Sequence, residues 1–241
     1  MTDRAVYKTG GVCSILLGIS YVISGMAYLA LPAAQKGGTL LHDPGSFLSS
    51  LAQAPALTVI HHLALGLGAL LGIGVVLAVV ELTKTAESGW TPWLNAMAGL
   101  SFAVTAVDNF GIAVIEPLRA AGYTAGDAAA KSALAVTQCM VSVDPVMGLG
   151  FGLAGLWVFF TSLLAFRRLG FPVAFGLVGM ATGLIYFLIE VGTLFRNELL
   201  ITLTAGLGAL ILGPVWYVWL GLSLRKRGCA ELTPPATICR G

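Results

Sequence analysis

Apolar residues fill six stretches of this chain almost without interruption, and polar residues gather in the segments between them. A helix needs about 20 apolar residues to cross a hydrocarbon core of ~30 Å, and each stretch is long enough. The pattern predicts spans at 10–31, 55–80, 92–116, 145–166, 172–195 and 198–224. Proline punctuates their starts, because at the first helical position its missing N–H costs nothing. Pro55, Pro92, Pro145 and Pro172 each open a run. Thr91 and Asp144 precede two of them as expected N-caps, and Asn197 before Glu198 caps the last. The third span is expected to stop at Glu116, before Pro117.

The expected fold is therefore all-α: one polytopic membrane domain over 1–241, a bundle of six transmembrane helices. The first run follows Arg4 and Lys8 and could pass for a secretory leader, but it exceeds a usual leader core and reads as a retained helix. Two long segments fall on the outer side. Residues 32–54 carry Asp43-Pro44-Gly45 and then an amphipathic stretch, Phe47 to Ala52. Residues 117–144 carry Thr124-Ala125-Gly126-Asp127, a capping-box pattern before an Ala-rich helix reaching Val141. Both predict surface helices, packed as loops or closing over an outward-facing cavity.

Composition makes the membrane assignment firm. The chain is 57% hydrophobic and 10% charged, with mean hydropathy +0.91, which no soluble domain of this size matches. Charge sets the expected orientation. With the N-terminus inside, inner segments hold nine Lys and Arg (4, 8, 84, 167, 168, 225, 226, 227 and 240), against four outside (36, 119, 131 and 196). That bias predicts both termini in the cytoplasm, and Trp90, Trp93, Trp216 and Trp219 are expected near the inner interface. No basic stripe with interleaved aromatics is present, so nucleic acid is not an expected partner. The four cysteines form no CxxC pair and predict neither a zinc site nor a disulfide framework.

Gly66-Leu67-Gly68, Gly148-Leu149-Gly150 and Gly206-Leu207-Gly208 recur in the second, fourth and sixth spans, with Gly72, Gly152 and Gly213 following at helical spacing. Small residues so spaced let helices approach closely in lipid, so packing is the expected meaning.

Candidate chemistry lies in ionisable residues inside the apolar runs, where they are expensive and point to function. His61 and His62 lie in the second span, Asp108 in the third and Glu190 in the fifth. At 1.5 Å per residue, His61 and Glu190 sit about 9 Å and Asp108 about 12 Å below the outer ends of their spans. Ser101, Thr105 and Asp108 form one polar stripe; Gly179, Gly183, Tyr186 and Glu190 share a face. His61 lies on the Gly68/Gly72 face and is the better candidate to point inward, with His62 turned ~100° away. Glu116 shares a face with Asn109 at the interface, where a carboxylate is cheap, and could line a cavity mouth. A His61–Asp108 or His61–Glu190 pair could hold or relay a proton; a satisfied polar cluster fixing helix register is the structural alternative. Adjacent histidines on a helix diverge and chelate poorly, so no metal site is expected, although His61 or His62 could serve as a lone metal or haem ligand. GxSxG, HExxH and phosphate-loop patterns are all missing, which leans away from an enzyme.

Ala56-Leu57-Thr58-Val59-Ile60-His61-His62-Leu63, Gly152-Leu153-Ala154-Gly155-Leu156-Trp157 and Arg167-Arg168-Leu169-Gly170-Phe171-Pro172 carry a resemblance. On these stretches the chain resembles a group of bacterial six-helix membrane proteins defined only as a domain of unknown function. The resemblance implies six helices and a bacterial inner membrane, and supplies no catalytic residues or cofactor. The leading expectation is an outward-facing His/carboxylate site for small-ligand binding or proton-linked transport. The alternatives are a non-catalytic accessory or assembly subunit of a larger membrane complex and a metal- or haem-dependent membrane enzyme. Expected partners are the lipid bilayer, with other membrane subunits or a homo-oligomer as further options.

Overall fold

A computed structural model describes residues 3–84, 89–141, 145–195 and 197–230. Among these residues the regular structure is entirely helical. Helix α1 is Asp3–Ala30; a 3-10 turn at Ala33–Gln35 leads to α2 (Gly37–His42) and α3 (Pro44–Gln53). Then follow α4 (Ala56–Thr83), α5 (Thr91–Ala125), α6 (Ala128–Val141), α7 (Pro145–Arg168) and α8 (Val173–Leu194). The last crossing is α9 (Glu198–Leu207), a π-helical turn at Gly208–Leu212, and α10 (Gly213–Ala230). Six helices are long and apolar enough to cross a membrane, and they are the six expected. Asp144, Arg196 and the tail with Cys239 and Arg240 lie outside the described residues.

The spans form a ring: α4 packs on α1 and α5, α7 on α5 and α8, and α10 returns to α1 and α8. Backbone contact at glycine makes two of these crossings close. A Cβ on Gly155 would stand 2.7 Å from the Gly183 carbonyl oxygen of α8, and one on Gly183 would stand 2.5 Å from that of Gly155. Gly11 and Gly221 repeat this between α1 and α10, at 2.8 and 2.6 Å. Without a hydrophobic drive between helices in lipid, such intimate van der Waals contact is what holds them together. The repeated glycines of the second span work similarly, with Gly66 and Gly72 admitting the rings of Phe110 and Phe102 from α5.

Aromatic rings fill the centre of the ring. Trp157 of α7 sits edge-on to Phe102 and Trp216, and Trp216 stacks on Phe175, 5.8 Å between centroids. Trp216 is fully buried in this core, whereas Trp90 and Trp93 are exposed. Asn95 is buried as well: its Oδ1 accepts from Trp157 Nε1 at 2.9 Å, which satisfies both polar groups away from water.

Local chemistry revises several boundaries. Asn197 caps α9 as expected, accepting from Leu200 N–H at 3.0 Å. Thr91 is already helical, with Trp90 in the cap position. The cap of α6 is Asp127, accepting from Ala130 N–H at 2.9 Å, while the Thr124 hydroxyl bonds back into α5. Helix α5 passes through Pro117 and runs nine residues beyond the expected end. Its extension is held by contact with α3: Phe47, Leu48, Leu51 and Ala120 form a small buried cluster, flanked by Tyr123 and Leu134. The two long segments between spans are thus helices packed together beside the ends of α4 and α5.

Candidate functional site

The first turns of α4 carry both imidazoles. His61 faces α1, where its Nδ1 is 2.8 Å from Ser24 Oγ and 3.0 Å from the Ser24 carbonyl oxygen. The Tyr28 ring lies beside it, centroids 5.4 Å apart. His62 faces α5, where its Nδ1 is 2.8 Å from Asn109 Oδ1. The two imidazoles meet edge to face at 4.8 Å. They form one polar seam running between α1, α4 and α5.

The contacts suit one tautomer of each ring. The Ser24 hydroxyl can donate to Nδ1 of His61 or accept from it, whereas the Ser24 carbonyl oxygen only accepts, so a hydrogen on Nδ1 serves both contacts. Asn109 Nδ2 donates to the Thr105 carbonyl at 2.8 Å, which turns Oδ1 toward His62 as an acceptor and suits Nδ1–H there too. A neutral imidazole carries one hydrogen, so each Nε2 keeps a lone pair. Neither Nε2 has a hydrogen-bond partner among the described residues.

Beside the seam, Gln35 ties α3 to α4. Buried to 4% exposure, it donates to the Ser50 and Ala54 carbonyl oxygens at 3.0 and 3.2 Å and accepts from the Thr58 hydroxyl at 2.9 Å. Thr58 is one helical turn from the histidines. On the surface beside Ser50 lies a polar groove of about 550 Å³, lined among others by Asp43, Ser46, Ser49, Gln53 and Tyr123. Asp43 caps α3 there. The hydroxyl and backbone N–H of Ser46 hold its carboxyl below the usual value.

The other candidate residues occupy several surroundings. Asp108 is half-buried on α5, next to Asn109. Ser101 donates to the Gly150 carbonyl of α7 at 2.6 Å, and Thr105 Oγ1 lies 2.6 Å from where a Gly150 Cβ would stand, so both turn to α7. Glu190 also faces α7, its Cγ 3.7 Å from a would-be Gly152 Cβ. No described hydrogen bond or ring contact joins Glu190 to an imidazole. Tyr186 is fully buried, edge-on to Tyr21, its ring bracketed by Gly208, which opens the π turn, and Gly213, which opens α10. Glu116 is 4% exposed and so lies inside the packing. Arg119 reaches its Oε1 at 2.9 Å, while Oε2 has no partner among the described residues.

Ser24, Tyr28, Asn109, Gln35 and Thr58 were not among the sequence candidates. A signal for two of them existed: Ser24 and Tyr28 are one turn apart in the first span, and Ser24 lies about 9–11 Å below its outer end, the depth of His61. Among the described residues no three His, Cys, Asp or Glu side chains are grouped as a metal ion would need.

The model of a family described as a domain of unknown function (DUF4386) matches residues 9–223, which covers the second to fifth spans and most of the first and last. No curated protein and no solved structure matches the chain.

Proposed function

We propose, for a chain that belongs to the DUF4386 family, that this multi-pass membrane protein takes up a proton or a small proton-bearing ligand at the paired imidazoles, from the outer side. Both termini then face the cytoplasm of a bacterial inner membrane, as the nine-to-four cation bias favours. One observation carries the reading: Nδ1 of His61 meets Ser24 and Nδ1 of His62 meets Asn109, and in the Nδ1–H tautomers that suit these contacts both Nε2 atoms are acceptors. An imidazole so fixed is a positioned base. The Gln35 link joins the groove on α3 to Thr58, one helical turn from the histidines, and offers a route for a polar guest. Asp108 and Glu190 remain candidate carboxylates for a second stage, on α5 and α8.

Proton flux into vesicles tests this. The full chain is reconstituted around an entrapped pH dye and the outside is acidified. The wild type is expected to acidify the lumen faster than empty vesicles, and His61→Ala with His62→Ala to return it to the empty rate. A wild-type rate equal to that of empty vesicles, with and without added solutes, would overturn the transport reading.

A second reading draws on the same lone pairs. Nε2 with Nδ1–H bound to a carbonyl is the form in which imidazole ligates haem iron or a transition metal. The purified chain would then show a haem absorption band or a stoichiometric metal, lost in His61→Ala or His62→Ala. A colourless and metal-free wild type excludes it.

A further inference from the structure

We propose that the cleft between α1 and α10 binds an anionic phospholipid, its acyl chain along the cleft and its phosphate on Lys8 and Arg225. This inference is independent of the histidines. The cleft, about 470 Å³, is lined almost wholly by apolar groups, including Gly18, Ile19, Val22, Pro214, Val218 and Leu222. Its floor is low because Gly18 meets Pro214 across the helix contact, where a Cβ would stand 3.1 Å from the Pro214 carbonyl oxygen. Ile19 and Leu222 stand at its sides, half exposed. Any outward face of a span meets acyl chains, so apolarity alone selects no occupant.

Charge at the mouth selects one. Leu222 is one turn from Arg225, about 4.5 Å along the axis. On α1, Lys8, Val12, Leu16, Ile19 and Ile23 follow one outward stripe at spacings of four and three, so Lys8 heads the same face. The side chains cross the helix contact in both directions. The Arg225 stem lies over Gly11 of α1, its Cγ 2.6 Å from a would-be Cβ, and the Lys8 stem lies over Gly228 of α10 at 3.1 Å. Both residues are exposed. The acid whose side chain is described at this end of the bundle, Glu81, is engaged by Lys84. Among the described residues, two cations from the two helices that form the cleft therefore stand at its mouth with no carboxylate between them. A phosphodiester with an attached chain fits this order of groups, whereas a free phosphate uses only half of it. Basic pockets between spans beside a membrane surface are recognised sites for anionic headgroups.

Native mass spectrometry of the detergent-purified full chain tests the site. The probes are phosphatidylglycerol and phosphatidylcholine with identical acyl chains, alone and with soluble glycerol phosphate. Phosphatidylglycerol is expected to be retained roughly 30-fold better, the factor for two cations near a membrane surface. Lys8→Gln with Arg225→Gln should erase that preference, and Ile19→Trp, which fills the cleft from its open side, should weaken both lipids. Arg167→Gln, on α7, should leave the preference intact. Equal retention of the two lipids, an equal loss in Arg167→Gln, or full displacement by millimolar glycerol phosphate would each overturn the proposal.

Discussion

Asn109 holds His62 in one tautomer while its own amide is fixed by the Thr105 carbonyl. Asn109→Leu removes the acceptor and leaves the His62 N–H unpaired in an apolar setting, a loss of about 1–3 kcal/mol. Thermal unfolding in detergent should fall by several degrees, and nitrogen NMR should show His62 leaving the Nδ1–H form. Asn109→Asp keeps the acceptor and should keep that form. A wild-type spectrum with the hydrogens on Nε2 would refute the geometry from which the function is argued. Asp43 makes a prediction outside the membrane. Its carboxyl is held below the ordinary value by Ser46, so its stabilising contribution is present at neutral pH. The contribution persists above the unfolded value of about 3.9 and disappears as the pH falls through the lowered folded value. Exchange of the Ser46 amide should therefore rise in acid, while Asp43→Asn should show no such dependence. At this scale the sequence revealed the histidines, because an ionisable group in an apolar run stands out. It did not reveal Ser24 or Asn109, which are neutral and ordinary in their own helices and gain meaning only from which helices become neighbours.

Helices were the most legible level. Pro55, Pro92, Pro145 and Pro172 each mark a start within a residue or two. Pro117 misled, because the loss of one hydrogen bond inside α5 is outweighed by packing of its continuation against α3 through Ala120 and Tyr123. Gly170 closes α7 with φ of 68°, and Phe171 N–H reaches back to the Ala165 carbonyl at 3.3 Å. Gly170→Ala should cost about 1–2 kcal/mol through the left-handed backbone alone, since no atom lies within 4 Å of the new methyl group. Gly183→Leu should be far worse, forcing α8 away from Gly155, and is expected to abolish recovery of folded protein. Gly99→Ala meets nothing within 4 Å in a helical backbone and should stabilise by about 0.5–1 kcal/mol. Recovery of folded protein for Gly183→Leu, and melting curves of the other two variants in the same detergent, check this ranking. Equal losses at Gly99 and Gly183 would show that close approach is not what the latter supplies.

For the molecule as a whole, the apolar pattern determined six crossings and the cation bias proposed their direction. With all cysteines but Cys229 replaced, a membrane-impermeant maleimide should label intact cells poorly and opened cells well; Gln53→Cys on a cysteine-free chain should show the reverse. The opposite pattern would invert the topology and turn the groove on α3 toward the cytosol. The order of helices around the ring was not readable, since it depends on shape matching such as Gly11 against Gly221. Nor was the π turn in the last crossing. It has a mechanical consequence. Tyr186 braces the turn, α10 is clamped to α1 and α9 leans on α8, so the last crossing is two rods joined by a coupling. Deleting a single residue between Gly208 and Leu212 would make a continuous helix, but it would also spin one rod by about 100° against the other. Neither clamp could then accept its old partner, so the surplus residue works like a shim that lets both ends of one helix dock at once.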